Sequence, residues 1–504
     1  MKIPIKQMKT GDEPFFNDSN PKAKPDKTIN IFSKIFFIIY ILSASIVCGV
    51  LIYLSVLPVK YLSILIAASS IFAIVFGFFT FKKSSKKLAK ILTMFFEFIF
   101  TIVFIIIFFY LNHTMNFISS IRASEYQIDN YSILVKKDSK FNSIEDLHYG
   151  TVATYDDNSK SYNSALDELA KKIQYKKVEK EDLDSAIKAV ATNQTDSLLI
   201  KNSLIDLASE IFSDFEIDEY RNLYTITIKT KIEKTETTNI DVTRDSFNIY
   251  ISGIDTYGDI ATISRSDVNM IITVNPRTHT ILLTSIPRDY YVQLHGTTGL
   301  KDKLTHSGLY GINMTIDTIE DLFNIDINYY IRINFDSTIG LIDALGGIEV
   351  TPDITFSRPS NGVYCYYYEG TPNHLDGLCA LRYARERKAY GTGDLHRIQN
   401  QQEVLAAIIN KLTSSKTLLT EYTKILSSLS GSIETNIPSN QIYSLVNHQI
   451  DSMPSWHIER ISAEGEHIDA PTYTISNENL FVFVPNEESV ESITTKIQEV
   501  MSAN

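Results

Sequence analysis

The chain has 504 residues and a formal net charge of −12, with 44% of its residues hydrophobic and 21% charged. A length of this order points to more than one folding unit. Residues 1–112 hold thirteen Lys, no Arg and five Asp or Glu, a net +8, so the remainder carries −20; so acidic a remainder excludes nucleic acid as its partner, because neutralising phosphates needs a basic surface.

Residues 1–30 are polar, rich in Lys, Asp, Asn and Pro, and read as a disordered cytoplasmic tail. Three apolar runs follow within 31–112: IFSKIFFIIYILSASIVCGVLIYLSVL from Ile31, YLSILIAASSIFAIVFGFFTF from Tyr61 and ILTMFFEFIFTIVFIIIFFYL from Ile91. Each reaches the roughly 20 residues that a membrane-crossing helix needs. No small-residue cleavage site follows them, so they read as spans rather than a signal peptide. Lysines crowd the segment before the first run and the loop between the second and third (Lys82, Lys83, Lys86, Lys87, Lys90), whereas the first hairpin has only Lys60. The positive-inside rule then places the N-terminus in the cytoplasm and everything after about residue 113 outside. Glu97 lies inside the third run. It either makes a polar contact within the bundle or with lipid, or reaches back to the interface.

Residues 113–240 read as an extracellular accessory α/β domain and linker. YSILV (131–135), GTVATY (150–155), DSLLI (196–200) and YTITIKT suggest strands. SALDELAKKI (164–173) and DLDSAIKAVATN (182–193) carry apolar residues three and four apart, as helices do. This stretch has no nucleophile pair, metal-ligand spacing or phosphate loop, which suits a spacer or protein-contact domain. The charged, Thr-rich KTKIEKTETTNIDVTRD (229–245) reads as the linker.

Residues 241–504 read as an α/β/α domain with a central mixed sheet. SFNIYISGID alternates as a strand does. VNMIITV (268–274) and TILLTSI (280–286) follow, joined by a hairpin turn at NPRTH. A helix around 311–323, the strand YYIRINF, a helix around 337–345 and the strand IEV continue the alternation. Strands interleaved with helices imply a sheet covered on both faces, with its site at loops beyond the strand ends. YTKILSSLSGSIETNIPSNQIYSLVNHQI reads as closing helices. Cys365 and Cys379 are either a disulfide, which an oxidising compartment permits, or two free thiols.

Polar residues collect at those strand ends. Asp255 closes the first strand, Arg265 and Asp267 precede the second, Arg288 follows the third, and Lys303 sits in the loop before the long helix. ALRYARERKAYGTGDLHRIQNQQ (380–402) adds Arg382, Arg385, Arg387 and Arg397. If LRYAR is extended, Arg382 faces away from Tyr383 and Arg385. Asp394 suits an N-cap, and Arg397 and Gln401, four apart, share a helix face. Asp255 and Asp267 suit a hard cation such as magnesium, which takes one or two carboxylates and leaves the rest to water and phosphate. Arg265, Arg288, Lys303, Arg385, Arg387 and Arg397 suit phosphate oxygens, because the guanidinium fork bonds two at once. Six cations and a metal suit a pyrophosphate. Each residue has a plainer reading: Asp255 a turn former, SRSD a salt-bridged loop, Arg288–Asp289 a local pair, Lys303 a solvated lysine, Asp394 a cap alone. Together they indicate an anion site but no reaction.

The segments GID, SRSDVNMIITVNP, SIPRDYYV, KLTHSGLYG and HLDGLCALRYARERK…GDLHRIQNQQ closely resemble the LytR–CpsA–Psr family over about 240–415. The three spans and the intervening α/β unit resemble its streptococcal capsule branch. The resemblance implies a magnesium-dependent phosphotransferase, with manganese as the alternative ion. It moves a glycopolymer, here capsular polysaccharide, from a polyprenyl pyrophosphate to peptidoglycan at the outer membrane face. By motif, Asp255 and Asp267 are metal-side carboxylates. Arg265, Arg288, Lys303, Arg385, Arg387, Arg397 and Gln401 contact the pyrophosphate. Asp394 orients them, and Asp267, Arg288, Arg385, Arg387 and Asp394 form the catalytic set. Membrane lipid and other capsule-synthesis membrane proteins are the further partners implied. Thr305 and His306 depart from the Asn and Ala usual in the family, which loosens the role of Lys303. A lipid tail needs an apolar channel, for which Leu309, Ile312, Ile316, Leu341, Ile342 and Leu345 are candidates, with core packing as the alternative for each. Hydrolysis of the same pyrophosphate and a receptor or regulator of capsule synthesis are the competing functions.

Overall fold

The computed structural model describes residues 27–54, 57–82, 86–121, 126–155, 159–212, 215–231, 240–254, 260, 263–360, 363–391, 393–414, 425, 428 and 433–504. The tail expected over 1–30 lies outside them as far as residue 26, as do Asp255 and residues 232–239 of the expected linker. Two compact units form: one from the residues up to Phe109 without 54–58, the other from the rest.

The first unit is helical. α1 (Lys27–Leu54), α2 (Val59–Phe81) and α3 (Lys87–Ser120), which continues past this unit, are all long and apolar enough to cross a membrane. Glu97 is fully buried and accepts a hydrogen bond from the Thr80 hydroxyl at 3.4 Å, while Ser33 donates to Thr80 at 3.2 Å. The carboxylate therefore makes its contact inside the bundle rather than reaching the interface.

The second unit opens with a five-stranded mixed sheet in the order β3-β2-β4-β1-β5. Its elements are β1 (Tyr126–Lys136), β2 (Thr151–Tyr155), α4 (Lys160–Lys172), β3 (Lys176–Lys180), α5 (Leu183–Ala191), β4 (Ser197–Lys201), α6 (Asn202–Ile211) and β5 (Tyr220–Lys231). Ser159 and Asp182 cap α4 and α5 by accepting from the amides of Tyr162 and Ser185. Every strand and helix expected here forms; β3 and α6 are additional. The expected linker starts inside β5, which runs to Lys231.

A six-stranded mixed sheet follows. β6 (Phe247–Ile254), β7 (Ser266–Asn275) and β8 (Thr280–Ile286) form an antiparallel meander. β9 (Tyr291–Val292) and β10 (Asp302–Lys303) pair with each other, and α7 (Leu304–Ser307) and α8 (Ile312–Phe323) come next. β11 (Tyr329–Ile333) joins β6 in parallel and α9 (Phe335–Ala344) follows it, capped by Asn334 and Ser337 in a reciprocal pair. The expected strand IEV, β12 (Ile348–Val350), does not enter this sheet. It pairs with β15 (Asn373–Leu375), beyond the hairpin of β13 (Phe356–Ser360) and β14 (Val363–Tyr367). α10 (Gly377–Ala384) and α11 (Asp394–Thr413) complete the arginine-rich segment.

The closing stretch is not all helix. Within it Ile433–Thr435 is a strand, β16, on the edge of β11, and α12 (Ser439–Ser452) is the helix that follows. β17 (His457–Ser462) pairs in parallel with β8, giving the order β16-β11-β6-β7-β8-β17. The hairpin of β18 (Gly465–Ala470) and β19 (Leu480–Pro485) and helix α13 (Glu487–Ser502) end the chain.

Alternation divides the six-stranded sheet. Tyr250, Ile271, Leu282 and Tyr330 pack with Ile316, Ile319 and Phe323 of α8 and with Ile493, Ile497 and Val500 of α13. Ile249, Ile251, Met270, Ile272 and Leu283 form another cluster with Leu405, Ala406 and Ile409 of α11 and Leu445 of α12. Cys365 and Cys379 are joined, their Cα atoms 5.5 Å apart, so the free-thiol reading fails.

Candidate functional site

The strand directions gather the site at one edge of the six-stranded sheet. β6, β8 and β11 end there and β7 begins there, so the segments bearing Arg265, Asp267, Arg288 and Asn334 leave the sheet together. The register supplies one further device. Gly253 faces Val268 and Ile254 faces Ser266, which leaves Asp267 as the extra residue of a β-bulge. Such a bulge re-aims a side chain. Gly253 allows the close approach, since a Cβ there would lie 2.7 Å from that of Val268.

Asp267 is the hinge of a charged network. Arg288 Nη1 lies 3.1 Å from Asp267 Oδ1, and Arg288 Nε 3.4 Å from Asp289 Oδ2. Lys303 Nζ lies 3.0 Å from Asp289 Oδ1. Thr305 donates its hydroxyl to Asp267 Oδ1 at 3.2 Å and its amide to the Arg288 carbonyl at 2.8 Å. The local Arg288–Asp289 pair is therefore real, and it coexists with the site contact. Thr305, one departure from the usual motif, supports Asp267. His306, the other, is buried with its Nδ1 2.7 Å from Asp302.

Arg265 does not pair inside SRSD. Both its Nη atoms bond Glu210 of α6, at 2.8 and 3.0 Å. That fork holds the Glu210 carboxyl below its usual range, with burial opposing, and raises the Arg265 guanidinium. No motif pointed to Glu210; it lies in a helix that the periodicity reading passed over.

The arginine-rich segment approaches from the other side. LRYAR is helical, not extended, through Ala384, so the alternation that set Arg382 apart does not apply. Arg385 follows the helix, exposed, with its guanidinium carbon 4.2 Å above the Phe335 ring. α11 starts at Asp394 with Gly393 before it, so Asp394 is the first helical residue rather than the N-cap. Its side chain lies outside the described ones, as does the whole of Asp255. Arg397 is buried, Arg387 half-buried and Gln401 half-buried.

Between these two groups runs an apolar cavity of about 110 Å³. Ile251, Met270, Leu381, Val404, Leu405 and Ile408 form its walls, and Asp267, Asn334, Arg385 and Gln401 also line it. The network residues Arg288 and Lys303 connect to it through Asp267; Arg387 and Arg397 lie beyond its lining. The candidate channel residues line none of it. Leu309 packs with the five-stranded sheet, Ile312 and Ile316 with α13, and Leu341, Ile342 and Leu345 in the cluster around Tyr367, which is the core-packing alternative.

Among the described residues no three of His, Cys, Asp and Glu gather as a metal cage. Asp267, a carboxylate at the mouth of an apolar cavity and next to arginine, fits an ion that draws most of its ligands from water and phosphate.

The model of the LytR_cpsA_psr family matches residues 219–499. The "Polyisoprenyl-teichoic acid--peptidoglycan teichoic acid transferase TagU" of Bacillus cereus (strain AH820) is 32% identical over 219 residues, 43% of this chain and 69% of that protein. The protein of the same description from Halalkalibacterium halodurans is 33% identical over 247 residues, 49% of this chain and 76% of that protein. The crystal structure of B. subtilis TagV aligns at 30% identity and a TM-score of 0.44, over 52% of this chain and 99% of that one. With more than half of its length matched by the family model, the chain belongs to the LytR_cpsA_psr family.

Proposed function

We propose that this protein transfers a glycopolymer, capsular polysaccharide, from a polyprenyl pyrophosphate to peptidoglycan at the outer face of the membrane. One observation carries the reading: an apolar cavity whose lining includes Asp267, Arg385 and Gln401, next to a network of further cations. An apolar slot with guanidiniums at its mouth matches a lipid that ends in a diphosphate. The relatives described as teichoic acid–peptidoglycan transferases support the reaction class. The three apolar helices support a membrane anchor, and the lysine-rich loop supports an outward-facing C-terminal part.

Arg385 and Gln401 hold the diphosphate at the cavity mouth while the isoprenoid enters between α11 and the sheet. The slot is narrow, so a long chain parts these walls as it enters. Arg288, Lys303 and Arg265 take the remaining phosphate oxygens, exchanging their present carboxylate partners for phosphate; Arg387 and Arg397 complete the cationic field. The acceptor hydroxyl forms a P–O bond to the sugar-side phosphorus, the anhydride bond breaks, and the lipid phosphate leaves. Stabilising the charge on that leaving phosphate is the main task of the cations. Asp267 or Asp394 takes the hydroxyl proton. Magnesium, which Asp267 and Asp255 would hold, neutralises diphosphate charge when bound.

The test is product analysis with the full-length protein and a labelled lipid-linked polymer. Label covalently attached to peptidoglycan supports the reading. Free polymer alone identifies a hydrolase, and no turnover with retained ligand binding identifies a receptor.

A further inference from the structure

We propose that the outward face of the β13–β14 hairpin is a glycan platform, on which Tyr364, Tyr366 and Tyr368 stack against sugar rings of the peptidoglycan acceptor strand. The proposal deepens the transfer reading and rests on it for the identity of the glycan.

The strand alternates strictly. Cys365 and Tyr367 point inward at 2% and 0% exposure, while Tyr364, Tyr366 and Tyr368 are 59%, 57% and 58% exposed. Pro359 and Ser357 stand opposite Tyr364 and Tyr366 on the neighbouring strand. The Tyr364 and Tyr366 rings lie 6.3 Å apart and 31° from parallel. Single exposed aromatics are common, but three at alternate positions, two on β14 and one just past its end, form a surface.

That surface is held stiffly. The Cys365–Cys379 disulfide ties β14 to α10, and the Tyr367 hydroxyl donates to the Cys379 carbonyl at 2.8 Å. The inner face also connects to the site. Arg358 of β13 bonds Glu386 through both Nε and Nη2, the latter at 2.6 Å. Glu386 lies between Arg385 and Arg387 in the chain. The Phe356 ring meets Tyr390 edge-on at 5.6 Å. A chain lying on the tyrosines therefore rests on the element that braces the arginine loop.

Chemistry selects the occupant. A tyrosine offers a flat apolar face and a polar edge. A sugar ring has the same division, with C–H faces and a hydroxyl rim. A lipid surface is the competing occupant, and its docking faces carry Lys and Arg. Residues 351–376 contain no Lys and one Arg, the Arg358 held by Glu386, alongside Asp353, Glu369 and Asp376. An uncharged glycan fits this surface and an anionic membrane does not.

The test uses the full-length protein in nanodiscs and two uncharged probes: peptidoglycan glycan strands in which each stem peptide is replaced by a neutral amide on the lactyl carboxyl, and a β-1,4-linked N-acetylglucosamine hexamer. Two triple variants replace Tyr364, Tyr366 and Tyr368 by Ser or by Leu; leucine keeps apolar area but lacks the aromatic face. Binding of both probes should fall at least tenfold in both variants, while inorganic pyrophosphate binds as in the wild type. Wild-type affinity in either variant, or no strand binding by the wild type, overturns the proposal. So does quenching by brominated lipid of a Tyr366→Trp probe in a Trp456→Phe background, because that places the face in the membrane. If strand binding depends on the tyrosines but no polymer is transferred, the platform stands and the transfer reading falls. If transfer proceeds while the variants bind strands normally, the platform alone falls.

Discussion

The two faces of the six-stranded sheet are built from the same strands yet end differently. On one, Tyr250, Ile271 and Leu282 meet α8 and α13, and the interior is filled. Its buried tyrosine is satisfied internally: the Tyr250 hydroxyl donates to Asn269 Oδ1 at 2.6 Å and meets Ser266 at 3.0 Å, and burial pushes its ionisation up to about 12. On the other, Ile251, Gly253 and Met270 face α10 and α11 across a cavity, and charged groups stand at its mouth. One face is a core, and the other is a core left incomplete where the strands end. The contrast shows where stability and ligand capture should separate under mutation.

The largest separation is expected from Arg385→Ala. Losing this guanidinium should lower transfer by roughly 10²–10³-fold, about 3–4 kcal/mol of transition-state stabilisation. The melting temperature should scarcely change, because the side chain is exposed. Wild-type turnover would remove the open face from the mechanism. Ile319→Ala on the filled face should do the reverse, costing about 2–5 kcal/mol of stability, read by denaturant unfolding, with lipid affinity in the folded fraction preserved. Gly253→Ala lies between them. Its methyl would press on Val268, so about 1–3 kcal/mol of overpacking should come with loss of turnover, as the bulge that aims Asp267 shifts.

The smallest effect concerns Arg265 and Glu210. The pair is largely open to solvent on the Glu210 side, so Glu210→Gln should change stability by no more than about 1 kcal/mol. The Glu210 carboxyl titrates below its unfolded value, so its contribution is present above that value and lost as pH falls through the lowered one. The protection factors of the α6 amides, which are corrected for the intrinsic pH dependence of exchange, should therefore fall in acid for the wild type and stay flat with pH in the variant. Equal pH dependence in both would show that the pair does not anchor α6.

Much of this was legible in the sequence, for identifiable reasons. Strands such as VNMIITV and TILLTSI are buried on both faces and read as continuous apolar runs. Asp267, Arg288, Lys303 and Arg385 were singled out because strand ends and a helix N-terminus are where polar residues cluster in an α/β sheet, and the structure brings them to one edge of that sheet. What stayed hidden depends on distance in space. Glu210 is 55 residues from Arg265, and nothing local marks it as a partner. The core-packing reading of the six channel candidates holds, but the cavity lining itself was not picked out, because core and cavity residues share one composition: Ile316 and Ile251 differ in which face of the sheet they serve. β16 looked helical because Ile433–Thr435 is too short to show a period. Arg382 was set apart on the assumption of an extended LRYAR, yet Asp376 caps that segment as a helix by accepting from the Cys379 amide.

The central claim is that the open face holds an isoprenoid with its diphosphate at the Asp267–Arg385 mouth. Mass spectrometry of lipid retained by the detergent-extracted full-length protein tests it most directly, with Ala384→Leu, which narrows the slot, as the companion. The wild type should carry a polyprenyl phosphate or pyrophosphate, and the narrowed variant at least tenfold less. Bulk phospholipid alone in the wild type, or equal isoprenoid in both proteins, would contradict the account.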